Sequence, residues 1–95
     1  MENTPQVGDV GTSIEVDVGI PADDIVECKI YVSKPKGRGK VVWDATPKSG
    51  TTEICHITEE GDLDVDGTYQ IQAWVKTSNW SGRGKVTTMK VEKNI

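Results

Sequence analysis

Apolar and polar side chains alternate along residues 69–76. Tyr69, Ile71, Ala73 and Val75 make one face of a strand; Gln70, Gln72, Trp74 and Lys76 make the other. The stretch before it, Gly61-Asp62-Leu63-Asp64-Val65-Asp66-Gly67, is short and acidic and reads as a tight turn. A leucine, then Asp-x-Gly-x-Tyr, then an alternating strand is the pattern of a tyrosine corner, which joins strands E and F of an immunoglobulin-like sandwich.

The same period runs through the rest of the chain. Thr12 to Val18 sets Ile14, Val16 and Val18 against Ser13, Glu15 and Asp17. Val26 to Ser33 is expected to turn Val26, Cys28, Ile30 and Val32 inward and Glu27, Lys29 and Tyr31 outward. Lys40 to Thr46 follows with Val41, Trp43 and Ala45 inward. Thr52 to Thr58 has mixed parity, with Ile54 and His56 the favoured inward pair. A last strand, Gly84 to Lys93, puts Thr87, Met89 and Val91 on one side. Gly19-Ile20-Pro21, Lys34-Pro35-Lys36-Gly37, Pro47-Lys48-Ser49-Gly50 and Asn79-Trp80-Ser81-Gly82 separate the strands with turn residues. No helical period interrupts the series. The expected fold class is all-β: an antiparallel immunoglobulin-like β-sandwich of six to seven strands, one domain over residues 1–95. Residues 1–8 read as a loosely ordered or edge-hugging leader.

Composition narrows the picture in three ways. The 95 residues contain no phenylalanine, so Trp, Tyr and aliphatic side chains must fill the core, with Trp43 sealed between the layers. The formal net charge of −4 argues against a general nucleic-acid binder. The N-terminus has no basic, apolar signal pattern, and no apolar run is long enough for a bilayer, so synthesis in the cytoplasm without membrane insertion is expected. Cys28 and Cys55 do not make a disulfide framework. Cys28 is expected to serve as a small apolar core residue, with a Cys28–Cys55 bond the lesser expectation.

Gly37-Arg38-Gly39-Lys40-Val41 recurs as Gly82-Arg83-Gly84-Lys85-Val86. If both copies lie in loops at one end of a sandwich, Arg38, Lys40, Arg83 and Lys85 form a basic pole, with Lys34 and Lys36 beside them. Asp23, Asp24, Glu59, Glu60, Asp62, Asp64 and Asp66 would form an acidic pole at the other end. Two poles would suit head-to-tail association or an anionic partner. The plainer reading is that wet turns collect charge and glycine.

Trp74, on the outer face, and Trp80, in a loop, are candidates for stacking on sugar rings or anchoring a protein. The plainer alternative folds Trp80 back over Trp74. With Tyr31 and Val42, Trp74 also suits an oligomer face. Asp62-x-Asp64-x-Asp66-Gly67 matches the first half of a calcium loop, but Ala73 stands where the bidentate glutamate belongs. His56 has no nucleophile or second catalytic group in a recognisable motif. These readings favour a non-enzyme without a cofactor.

Several motifs taken together carry a resemblance. Gly8-Asp9-Val10-Gly11, Val32-x-Lys34-Pro35-x-Gly37, Gly61-Asp62-Leu63-x-x-x-Gly67-Thr68-Tyr69-x-Ile71-Gln72-Ala73-Trp74-Val75 and Trp80-x-Gly82 resemble small immunoglobulin-like proteins of tailed phages and prophages. The set is similar to the N-terminal domain of phage upper baseplate proteins and covers roughly Val7 to Val91. These 95 residues do not include the long helical region that follows in baseplate proteins, so a stand-alone accessory domain is expected. The resemblance implies a structural or tail-associated, virion-bound role, with other phage structural proteins as partners. It supplies no catalytic residues. A carbohydrate-binding module, using the tryptophans on a cell-surface glycan, is the alternative.

Overall fold

The computed structural model describes residues 5–84 and 86–93. Alternating stretches become eight strand segments: β1 (Ser13–Asp17), β2 (Ile25–Ser33), β3 (Lys40–Asp44), β4 (Thr46–Pro47), β5 (Glu53–Ile57), β6 (Gly67–Thr77), β7 (Ser81–Arg83) and β8 (Thr87–Val91). Strands make up 53% of the structure, and the described helical content is one 3-10 turn at Ala22–Asp24, so the chain is nearly all-β. The strands pair antiparallel in two sheets. One has the order β1-β5-β4; the other has β3-β2-β6-β7, with β8 also on β6.

Period two then decides what is buried. β1 and β5 turn Ile14, Val16 and Ile54 inward, and β2 and β6 supply Cys28, Ile30, Val32, Tyr69, Ile71, Ala73 and Val75. These side chains form one buried cluster shared by the two sheets, a sandwich-like arrangement. Ile30 and Ile54 are fully enclosed, and burying an aliphatic side chain of this size contributes about 1.5–3 kcal/mol. Leu63 and Val65 join the cluster from the loop before β6. The Tyr69 hydroxyl latches that loop: it donates to the Val65 carbonyl at 2.6 Å and accepts from the Val65 N–H at 3.3 Å.

Three details differ from the pattern-based expectation. Val26 is 68% exposed, because a register shift between Ile25 and Glu27 inserts an extra residue and turns it outward. The strand from Lys40 stops at Asp44. After Ala45 the chain changes sheets, and Thr46–Pro47 pairs with β5 instead of β2. The expected last strand shortens to β8, paired with Gly67–Ile71 of β6, and an additional short strand, β7, forms at Ser81–Arg83 where a loop was expected and pairs with Trp74–Lys76. Trp43 is buried as expected, 3% exposed; it sits on edge strand β3 and stacks on His56 with ring centroids 4.7 Å apart.

Residues 5–8 of the leader follow the sheet edge beside β8. Gln6 bridges to Glu92 in parallel, the Val7 N–H donates to the Glu92 carbonyl at 3.0 Å, and the Gly8 N–H donates to the Leu63 carbonyl at 2.8 Å. Both cysteines are free thiols, Cys28 buried and Cys55 half-buried. Burial pushes the Cys28 thiol above its ordinary pKa. Among the described residues no helix is long and apolar enough to cross a membrane.

Candidate functional site

Antiparallel pairing of β2 and β6 fixes where the charged loops lie. Ser33 stands opposite Gln70, so the turn after β2 and the loop before β6 emerge at the same end. The expected basic and acidic poles therefore merge. Lys34 Nζ lies 3.0 Å from Asp64 Oδ1 and 3.3 Å from the Gly61 carbonyl, and Lys36 Nζ lies 2.8 Å from Asp66 Oδ1. The two loops also touch directly. Gly67 has φ +127°, and a Cβ there would stand 2.9 Å from Pro35 Cγ. The three loop aspartates are thus committed within the protein: Asp64 and Asp66 to lysines, and Asp62 to His56 and the Glu59 N–H.

The lysine hydrogen bonds hold the Asp64 and Asp66 carboxyls below their ordinary range, as those from Thr52 and the Gly19 N–H do for Asp17. A depressed folded-state pKa contributes stability above the unfolded value and loses it as pH falls through the folded one. The melting temperature is therefore expected to drop as pH falls below about 4. Lys34→Ala should flatten that acid limb; an unchanged limb would show that the Lys34–Asp64 pair does not control it. These pairs are near the surface, so the effect is modest and salt-sensitive.

The two pentapeptides do different structural work. Gly37, Arg38 and Gly39 form the β2–β3 turn, with positive φ at both glycines. Gly82 and Arg83 lie in β7, and Gly84 is tied to β6 by its N–H to the Ala73 carbonyl and its carbonyl to Gln72 Nε2, each at 2.9 Å. Arg38 is exposed in its turn, away from Arg83. Lys85 lies outside the described residues.

The outer face of the larger sheet gathers most of the other candidates. Residues directly opposite across strands share a face. Val42, Tyr31 and Gln72 make one row, Lys40, Ser33 and Gln70 the next, and Lys29, Trp74 and Arg83 a third. The Arg83 guanidinium reaches across β6 and lies 4.2 Å from the centre of the Tyr31 ring, while Lys29 Nζ is 5.6 Å from the centre of the Trp74 ring. An open groove of about 290 Å³ runs over this face, bordered by Tyr31, Lys40, Val42, Gln70, Arg83 and Val86. Lys29, Lys40, Lys76, Arg83 and Lys90 all face outward here, against Glu27 and Asp44. An acidic chain thus presents a cationic, aromatic face.

No family model, curated protein or solved structure matches this chain. The local geometry therefore bears the functional argument.

Trp80 lies apart from that groove. Its indole packs on Gly82, where a Cβ would stand 2.6 Å from the ring, and not over Trp74. Its side chain is 52% exposed in an open cleft with Asp23, Asp24, Val26 and Asn79. His56 is buried and bonded at both nitrogens: Nδ1 is 2.6 Å from the Asp44 carbonyl and Nε2 is 2.7 Å from Asp62 Oδ2. The carbonyl can only accept, so Nδ1 carries a proton. The ring ties β5 to the end of β3 and to the loop before β6. The sequence reading missed Tyr31 as a partner of Arg83, because their contact crosses an intervening strand and depends on register.

Proposed function

We propose that the chain is a non-catalytic interaction domain of a phage-like particle, built on an immunoglobulin-like sandwich and binding neighbouring proteins through the outer face of its larger sheet. Strand order supports the architecture. β1 with β5 and β2 with β6 take the places of the B–E and C–F pairs, β3 sits beside β2 like strand C′, and β8 sits beside β6 like strand G. The latched Tyr69 occupies the E–F corner. The motif resemblance to tailed-phage proteins supports the virion setting.

One observation carries the binding role: Arg83, its guanidinium 4.2 Å from the centre of the Tyr31 ring, borders an open groove whose other walls include the exposed Val42 and Val86. A photo-crosslinking residue placed at position 42 is expected to capture a particle protein in the producing host, while one at position 57, on the opposite sheet, is not. Absence of a particle protein in the position-42 product would overturn the reading.

A glycan-binding reading rests on a different observation, the half-exposed Trp80 indole beside Asp23, Asp24 and Asn79. A flat apolar ring with nearby carboxylate and amide groups suits a sugar face and its hydroxyls. Glycan-array binding abolished by Trp80→Ala and kept in Arg83→Ala would replace the first reading with this one.

A further inference from the structure

We infer that the groove takes an acidic, extended segment of a partner protein, with carboxylates on Arg83 and Lys40 and an apolar side chain against Tyr31, Val42 and Val86. This rests on the protein-binding reading above and names the chemistry of the partner.

Lys29, Lys34, Lys36 and Lys48 each have a carboxylate within 4.0 Å. Arg38, Lys40, Lys76, Arg83, Lys90 and Lys93 have no carboxylate within 4.0 Å among the described residues, and of these Lys40 and Arg83 border the groove. Arg83 is also pre-arranged. Its guanidinium carbon lies 4.2 Å from the centre of the Tyr31 ring, a cation–π contact that holds the group at the groove while its N–H donors serve a carboxylate. A side chain already held in this way loses less freedom when it binds.

Spacing favours an extended occupant. Tyr31, beneath the guanidinium, lies opposite Val42, and Lys40 is two residues along the same strand. One strand across and two residues along is roughly 8 Å by standard sheet dimensions. Side chains two apart on one side of an extended chain are roughly 7 Å apart, so a Glu-x-Glu or Asp-x-Asp segment reaches both cations. Val42 and Val86, 52% and 51% exposed, give the intervening apolar contact. Single-stranded nucleic acid fits less well: the rings it would stack on, Tyr31 and Trp74, lie beneath Arg83 and Lys29, and the chain is net acidic.

The test is selection of a random ten-residue displayed-peptide library on the immobilised full chain. Enriched peptides are expected to carry two carboxylates two residues apart beside an apolar residue. Their affinity should fall at least tenfold in Arg83→Ala and in Lys40→Ala, and by an intermediate factor in Arg83→Lys, which keeps the charge but not the planar fork. Unchanged near-ultraviolet circular dichroism of these surface variants separates lost binding from lost folding. Peptides without carboxylate enrichment, affinities indifferent to the variants, or tighter binding of a labelled twenty-base single-stranded oligonucleotide would each overturn the inference. If position 42 crosslinks to a particle protein through a segment that is not acidic, this inference falls and the interaction-domain reading stands.

Discussion

Trp43→Ala is expected to lower stability by about 3–5 kcal/mol, the range for removing a large buried aromatic side chain. Domains of this size are held by about 5–15 kcal/mol, so the variant should sit close to its unfolding threshold. Trp43 is the large side chain with which edge strand β3 reaches the core, and its neighbour across the gap is the His56 ring, 4.7 Å away and inclined by only 14°. Removing the indole opens a void and leaves one face of a buried, hydrogen-bonded imidazole without contact. Trp43→Phe should be far milder. The indole Nε1 is buried without a hydrogen-bond partner among the described residues, so a ring with no N–H removes an unsatisfied donor while it gives up some area. Urea unfolding of the two variants measures the contrast. Equal losses would show that Trp43 contributes through something other than ring packing.

His56→Ala should cost about 2–3 kcal/mol, because it removes a buried ring that bonds two partners at once. The Asp44 carbonyl and the Asp62 carboxylate lose the nitrogens now 2.6 and 2.7 Å away, and Trp43 loses its stacked partner. Asp62 still accepts the Glu59 N–H and keeps some contact with water, which holds the loss below that of a fully buried broken pair. Because Trp43 and His56 touch, the double variant should lose less than the two single losses added. Strict additivity in the melts would argue that the stacked pair is not energetically coupled.

The sequence made some of this readable and hid the rest. Alternation in β2 and β6 is legible because a two-sided sheet writes its burial directly into period two, so Cys28, Ile30, Val32, Ile71, Ala73 and Val75 are buried as expected. Tyr69 is legible because its acidic turn and strand have a distinctive order. His56 inside β5 follows from the same parity. Val26 fails the pattern because a bulge shifts phase without leaving a composition signal. The two-pole expectation fails because strand register, which loop composition does not show, decides which loops share an end: Ser33 of β2 stands opposite Gln70 of β6. The basic turn therefore meets the acidic loop. Of the candidate residues, Lys40, Trp74 and Arg83 share the larger sheet's outer face, while Arg38 and Trp80 lie elsewhere. That sorting depends on register across four strands, which local sequence does not carry.

Pro47 in β4 has a consequence for behaviour in crowded conditions. β4 is the outermost strand of the smaller sheet, and proline has no N–H to offer a newcomer there. The far border, β1, carries Glu15, which is ion-paired with Lys48, and Asp17, and charged side chains on an edge disfavour pairing with another copy. Both flanks of this sheet are therefore poor templates for cross-β growth.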